Sequence, residues 1–94
     1  MKAKNFFYRL IPPRPDFPST MTPEESAMMK SHPAYWDAEL AKGHAIALGP
    51  VAAKSGAFGI GILCADSLEE AEGFVTADPA IARQLGFKIG RAHV

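Results

Sequence analysis

The sequence predicts an α+β protein with a ferredoxin-like β-α-β-β-α-β fold and a four-stranded antiparallel sheet. Three observations support this prediction. Segments rich in aromatic and β-branched residues alternate with two helical segments, each helical segment begins at a Thr or Ser capping residue, and only a few turn-forming residues separate the second and third strands. The chain has 94 residues, so we predict a single domain over residues 1–94.

The first predicted element is a strand over residues 5–11, NFFYRLI, because aromatic and β-branched residues dominate it and prolines end it. A proline-rich stretch follows at residues 12–21, with four prolines in ten residues. Proline lacks a backbone N–H and fixes φ, so we expect a long loop here with neither regular helix nor central strand. Loops of this length often cover sites, and we expect Arg14 within it to be solvated.

The first long helix is predicted to begin at Thr22, because a proline suited to the first helical position follows it and Glu25 completes a capping box. Pro33 disfavours helical geometry at the residue before it, so we expect a kink or a junction between two helices there. Gly43 is predicted to end the helix. A stripe of residues at three-to-four spacing runs along this segment: Met28, Met29, His32, Tyr35, Trp36, Glu39 and Leu40.

The segments HAIALGPV at 44–51 and AFGIGILCA at 57–65 are predicted to be the two strands of a hairpin, joined around AAKSG. Both alternating sets of side chains in the second of these strands are apolar, which is typical of a strand covered on both faces. Its glycines do not join a strand to a helix, so they do not indicate a nucleotide-binding loop. We expect them to permit close approach of backbone or side chains over the sheet.

The second long helix is predicted to begin at Ser67, with Glu70 completing another capping box. Its predicted inner stripe consists of Leu68, Ala71, Phe74 and Val75. Asp78 and Pro79 then open a further short helical turn, and residues 87–94 are predicted to form the fourth strand.

Right-handed crossovers place both long helices on one face of this sheet. The other face would be bare, although the third strand is apolar on it. A second copy of the chain is the simplest cover for such a face, so we predict a homodimer packed sheet to sheet.

Composition narrows the classes of partner. Ten basic and ten acidic residues cancel, so the chain offers no basic field for nucleic acid. No apolar run approaches the ~20 residues of a membrane-spanning helix, and Arg9 interrupts the first apolar stretch too early for a signal peptide. Cys64 is the single cysteine, and its apolar setting predicts a buried side chain in a reducing compartment. We therefore expect a cytoplasmic protein without nucleic-acid or membrane partners.

The three histidines, His32, His44 and His93, occupy different segments without metal-ligand spacing, so we predict no metal site. His44 and His93 are expected at the surface. His32 should point toward the sheet, where neighbouring aromatic and Met side chains could hold an aromatic or apolar ligand and the imidazole could move protons. The alternative is a structural histidine at the predicted helix junction.

Four other residues have two interpretations each. Asp78 is either the cap of the turn that follows it or a carboxylate partner for proton transfer by a histidine. Arg9 is an isolated charge in an apolar strand, and its guanidinium either extends to solvent from the sheet edge or supplies a positive charge for an anionic ligand. Tyr8 and Trp36 are either ligand contacts or aromatics of the core or of a dimer interface.

Taken in order, HPAYWDAELAKGHAIALGPV and GAFGIGILCADSLEEAEGFVTADPAI resemble the YCII-related (YciI-like) family. That pattern has a histidine before an aromatic helix, a glycine after it, a Gly-Pro, a glycine-rich strand, a Ser/Asp-x-Glu-Glu-Ala segment and an Asp-Pro. These features fall at His32, Gly43, Gly49, Pro50, Gly59, residues 67–71, Asp78 and Pro79. The resemblance covers about residues 6–86. It implies a dimeric α+β barrel and a candidate active site made of His32 and Asp78, in small-molecule enzymes proposed to be lyases or similar enzymes without a cofactor.

Two functions fit these residues. In the first, the protein is a cofactor-free lyase or isomerase in which His32 is the general base or acid and Asp78 orients it and stabilises its protonated form. The small-molecule substrate would contact Arg9, Tyr8, Trp36 and Gly49. In the second, the same pocket serves a non-catalytic dimeric module that binds a small ligand or a partner, and Asp78 is only a cap. A His32–Asp78 separation larger than one bridging water allows would exclude the pair.

Overall fold

The computed structural model describes residues 4–93, including the side chains of residues 4–90. Its elements are β1 (Lys4–Ile11), α1 (Phe17–Thr20), α2 (Pro23–Ala41), β2 (Ala45–Ala53), β3 (Gly56–Ala65), α3 (Leu68–Thr76), α4 (Pro79–Ala82) and β4 (Lys88–His93). One four-stranded antiparallel sheet has the order β2-β3-β1-β4, which is the ferredoxin-like arrangement. The predicted fold class is confirmed.

The two faces of the sheet have different surroundings. Tyr8 and Leu10 of β1 are paired with Gly61 and Gly59 of β3, and these positions face the helices, where Tyr8 and Leu10 are buried. Successive side chains of a strand point to opposite faces, so the intervening positions form the second face, which we call the open face. It carries Asn5, Phe7, Arg9 and Ile11 of β1 and Phe58, Ile60, Ile62 and Cys64 of β3.

The core lies between the first face and the helices. Helix α2 contributes Met28, which is fully buried, and Trp36, which is 3% exposed. Of the predicted inner stripe of α3, Ala71 and Val75 are buried and Phe74 packs against the core, whereas Leu68, the first helical residue, is exposed. Burial of these apolar side chains holds the helices on one face of the sheet.

Helix α2 is continuous through Pro33, so a junction of two helices, one of the two alternatives predicted at this position, is wrong, whereas the kink stays a prediction. Pro33 lacks the N–H that would bond to the carbonyl of Met29, four residues earlier. A capping box fixes the start of the helix, and buried Met28 and Trp36 anchor it to the core before and after the proline. Tertiary packing therefore outweighs the local cost of this proline. Across residues 4–93, neither α2 nor any shorter helix has the length and hydropathy of a membrane span.

Most predicted helix ends are confirmed. The capping box at the start of α2 is present, and Gly43 follows the helix with φ +80°, a conformation that favours glycine. At α3 only half of the predicted box forms: Ser67 Oγ accepts the N–H of Glu70 at 3.1 Å, while the Glu70 carboxylate accepts the N–H of Asp66, one residue before the cap.

The proline-rich segment at residues 12–21, which we call the strap, contains helix α1, so the expectation that no regular helix forms here is wrong. Three of its prolines precede the helix, and Pro18 occupies the first turn, where a missing N–H costs no hydrogen bond. Phe17 is 3% exposed and packs edge-on against Phe87, with ring centroids 5.0 Å apart. The strap is therefore attached to the core by a buried aromatic side chain.

Arg14 is bound within the protein, and the prediction that it is solvated is wrong. Its two terminal nitrogens donate to the two carboxylate oxygens of Glu25 at 3.0 and 2.6 Å, a bidentate pair. The same guanidinium donates to the hydroxyl and the carbonyl oxygen of Thr20. The hydrogen bonds from Arg14, helped by the backbone N–H of Thr22, lower the pKa of Glu25 to about 2. The pair ties the strap to the start of α2.

A glycine permits the close approach of Tyr8 to the sheet. A Cβ atom at Gly61 would lie 2.3 Å from a Tyr8 ring carbon and 2.8 Å from a methyl carbon of Leu48. The expectation that the glycines of the third strand allow close approach is confirmed at this position.

We therefore predict that Gly61→Ala destabilises the fold by roughly 1–3 kcal/mol, because the Tyr8 ring must move out of a packed site. Gly49→Ala is the matched control in the neighbouring strand, since its Cβ would meet no atom within 4 Å. Urea unfolding of both variants measures the difference. Equal midpoints for the two variants would contradict the steric argument.

The Arg14–Glu25 pair should make stability depend on pH in the acid range. Because the folded-state pKa of Glu25 is about 2, below its ordinary value of 4.5, this carboxylate adds stability above about pH 4.5 and loses it as the pH falls toward 2. The difference in Tm between wild type and Glu25→Gln should therefore be largest above pH 5 and shrink toward pH 2. Glu24→Gln, at the exposed neighbouring carboxylate, is the control. A difference that stays constant from pH 6 to pH 2 would contradict this assignment.

Candidate active site

His32 and Asp78 meet where α2 approaches the start of α4. The His32 Nδ1 and Asp78 Oδ1 atoms are 2.8 Å apart, so the two side chains are in direct hydrogen-bond contact without a bridging water. The two residues are 46 positions apart in the sequence. The inward stripe of α2 carries His32 to this point, and the turn after α3 carries Asp78.

Asp78 is fully buried and accepts three hydrogen bonds from nitrogen donors. Its Oδ1 atom faces His32 Nδ1 and accepts the backbone N–H of Ala80 at 2.9 Å, which makes Asp78 the N-cap of α4. Its Oδ2 atom accepts the indole N–H of Trp36 at 2.7 Å. The predicted capping role is confirmed, and the same carboxylate also contacts His32.

This contact determines which nitrogen of His32 is available. A carboxylate offers acceptors, so the neutral imidazole carries its hydrogen on Nδ1 and its lone pair on Nε2. The two nitrogens lie on different sides of the ring, which turns Nε2 away from Asp78. The side chain of His32 is 21% exposed and forms part of a cavity wall. Nε2 therefore keeps the lone pair that can accept a proton.

The cavity has a volume of about 430 Å³ and lies between α2, the strap and strands β1 to β3. Most of its wall is apolar. The strap supplies Phe17 and Pro18, α2 supplies Met29 and Leu40, and the hairpin supplies Leu48 and Pro50. A cavity of this size with few polar groups is typical of small-molecule sites.

The structure brings together most of the residues predicted to contact a ligand. Tyr8, Trp36 and Gly49 line the same cavity as His32. Arg9 is not in this cavity. It lies on the open face, with its guanidinium 4.7 Å from the centre of the Phe58 ring. The alternation of side chains along a strand could have shown this, because adjacent residues 8 and 9 cannot face the same side of the sheet.

An aromatic cluster packs beside the His32–Asp78 pair. The rings of Tyr8 and Trp36 stack with centroids 5.6 Å apart, and Tyr35 contacts Trp36 edge-on at 5.0 Å. Burial raises the pKa of Tyr8, with smaller contributions from Asp78 and Tyr35. Burial also raises the pKa of Tyr35 to about 12, helped by the charges of Glu39 and Asp78. Both phenols are therefore neutral hydrogen-bond donors at neutral pH.

Asp37 and the aromatic and proline residues of the strap also line the cavity, and the sequence analysis did not identify them. The helical period places Asp37 beside the inward stripe, one residue after Trp36, but this position alone does not show that its side chain lines a cavity. No local pattern indicates which face the strap covers, since that depends on how Phe17 packs.

The remaining candidates lie outside the cavity. The His44 Nδ1 atom is 3.1 Å from a carboxylate oxygen of buried Glu39, and its ring stacks on Phe74, so it is half-buried rather than a free surface group. Burial by itself would raise the pKa of Glu39, but hydrogen bonds from His44 and Lys42 lower it. The side chain of His93 lies outside the described residues.

Cys64 was expected to be buried, but it is half-buried on the open face, where its thiol donates to Asn5 Oδ1 at 3.3 Å. Within the described part of the chain, no three His, Cys, Asp or Glu side chains are grouped as metal ligands would be.

Comparison with known proteins assigns the family but not the activity. No curated protein matches the sequence. A family model, described as the YCII-related domain, matches residues 6–89, which is nearly the whole described chain. The protein belongs to the YCII-related family.

Proposed function

We propose that the protein is a small-molecule enzyme that moves a proton to and from a carbon atom, with His32 as general base and acid. The observation that carries this proposal is the 2.8 Å contact between His32 and Asp78 at the wall of an apolar cavity. A histidine held by a carboxylate is the usual arrangement for proton transfer near neutral pH. Isomerisation and elimination both begin with such a step.

In the first step, Nε2 of His32 takes a proton from a carbon next to a carbonyl group. The C–H bond breaks, an N–H bond forms, and the electron pair moves to the carbonyl oxygen as an enolate. The resulting imidazolium lies against Asp78, whose carboxylate stabilises the positive charge. If the ligand is a β,γ-unsaturated carbonyl compound, the enolate is a conjugated dienolate, and in the second step the imidazolium returns the proton to its γ-carbon. The double bond then moves into conjugation with the carbonyl group, which completes an isomerisation. Alternatively, the enolate expels a leaving group that takes this proton, which completes an elimination.

The second candidate is a module that binds a small ligand without chemistry. One observation favours it: Asp78 also caps α4 and accepts the Trp36 indole N–H, so its burial has a purely structural explanation. Both candidates use the cavity. They differ in whether His32 changes the bonds of the ligand.

Exchange of carbon-bound hydrogen for deuterium tests the first step without knowledge of the product. Small ketones and aldehydes would be incubated with the protein in D₂O and their α-proton signals followed by NMR. We expect wild type to accelerate exchange for at least one compound, and His32→Gln to slow it by roughly 10²–10⁴-fold. Asp78→Asn should also slow exchange. The amide is neutral and cannot stabilise the imidazolium of His32, and its N–H group cannot accept the hydrogen bonds that the Asp78 carboxylate accepts.

His44→Gln is the matched control, since it removes a second half-buried histidine that contacts a carboxylate outside the cavity. Exchange should be unchanged in this variant. Binding is monitored separately through the indole N–H signal of Trp36, the single tryptophan. Ligands that bind but never exchange would support the non-catalytic module and overturn the enzyme.

We also propose that a second copy of the chain covers the open face, in a protein that acts in the cytoplasm. Support for the dimer comes from the apolar residues of β1 and β3 on this face, of which Ile62 is 38% exposed. Support for the location is the free thiol of Cys64, which suits a reducing compartment.

Sedimentation at micromolar concentration should give about twice the 10.1 kDa mass of one chain. Ile62→Glu should convert this species to a monomer, because a carboxylate would be buried unpaired at the interface. Leu68→Glu changes a comparably exposed apolar residue on α3 and should leave the dimer intact. A monomeric wild type would rule out the sheet-to-sheet dimer.

A further inference from the structure

The fixed charge in the cavity wall is negative among the side chains of residues 4–90. Among the side chains of residues 4–90, no Lys or Arg lines the wall, whereas the exposed carboxylate of Asp37 does. Buried Asp78 places a second carboxylate directly behind His32. Among the described side chains, an anionic ligand would therefore meet the Asp37 carboxylate in the cavity wall and no Lys or Arg.

The arginines nearest to this region are held elsewhere. Arg9 lies over Phe58 on the open face, and Arg14 is bound bidentately to Glu25. Asp37 is not part of any ion pair among the described residues, so its charge is not neutralised within that part of the protein.

Besides His32 and Asp37, the hydroxyl group of Tyr8 is a polar group available to a ligand. Tyr8 lines the cavity, and none of the hydrogen bonds among the described residues uses its hydroxyl. Every fully buried side-chain polar atom in the described region has a hydrogen-bond partner. Because the hydroxyl oxygen of Tyr8 has no such partner there, it is not fully buried and keeps some access to the cavity or to solvent. Burial raises its pKa, and the group therefore stays a donor at neutral pH.

We propose that the site selects an uncharged, largely apolar ligand with a carbonyl-type oxygen, that the Tyr8 hydroxyl donates a hydrogen bond to this oxygen, and that Asp37 repels carboxylates. The inference rests on the proposed function only in that this ligand is the molecule on which His32 acts. An oxygen held by Tyr8 is also the atom on which negative charge develops when His32 removes the neighbouring proton.

Three probes of similar size test the charge selection: acetophenone, benzoate and benzylammonium. Titrations at low ionic strength would follow the Trp36 indole N–H signal, which reports directly on the site because this group bonds to Asp78. Acetophenone should bind at least about tenfold more tightly than benzoate. Tighter binding of benzoate or of benzylammonium than of acetophenone would overturn the proposal.

Asp37→Asn should strengthen benzoate binding roughly twofold to fivefold and leave acetophenone binding unchanged, and added salt should reduce this gain. Glu24→Gln removes the same charge at the far end of α2, away from the cavity, and should have no effect on benzoate. If both substitutions strengthened benzoate binding equally, only the net charge of the protein would matter. The proposed role of Asp37 in the site would then be wrong.

Tyr8→Phe should weaken acetophenone binding roughly threefold to tenfold, which corresponds to one lost hydrogen bond. Toluene has no oxygen, so its binding to the same variant should be unchanged. An equal loss for both compounds would mean that the substitution disturbs packing only, and would overturn the role of the hydroxyl.

The same titrations in His32→Gln separate this inference from the proposed function. If the preference for acetophenone persists while no compound exchanges its α-protons with wild type, the proton-transfer function fails and the ligand class stands. If exchange depends on His32 but occurs with carboxylate compounds in preference to neutral ones, the ligand class fails and the function stands.

Discussion

The buried carboxylate of Asp78 is the group on which both helix packing and site geometry depend. It has no contact with solvent and is surrounded by nitrogen donors from two helices, the side chains of His32 and Trp36 in α2 and the backbone of Ala80 in α4. A buried charged group is tolerated when its acceptors are used in this way. The position of α4 against α2 and the orientation of the His32 ring are therefore fixed by the same hydrogen bonds.

The cavity beside this carboxylate exists because parts of the sheet have no side chains. Gly61 lets the Tyr8 ring lie flat against β3, and Tyr8 in turn stacks on Trp36, which bonds to Asp78. A continuous set of contacts thus joins the middle of the sheet to the His32–Asp78 pair. The strap closes the opposite side of the cavity and is itself held by Phe17 and by the Arg14–Glu25 pair.

Local rules predicted the features that depend on a few neighbouring residues. The start of α2, the end of that helix at Gly43 and the cap at Asp78 follow from hydrogen bonds within one turn, and the structure contains all three. A junction of two helices, one of the two alternatives predicted at Pro33, was wrong because the same local rule ignores the buried residues on either side, whose packing holds the helix together. Arg14 was misjudged for a similar reason, since its partner lies eleven residues away.

By itself the sequence determined the order of the elements, the helix starts and the inward direction of His32, because periodicity and capping act between residues that are close in the chain. The partnership of His32 with Asp78 was suggested only by the family pattern, since nothing near either residue indicates the other. Tertiary structure alone decided that their side chains meet at 2.8 Å and that Asp37 stands in the cavity wall. These relations depend on how α2 lies across the sheet, which is fixed by packing between segments distant in sequence.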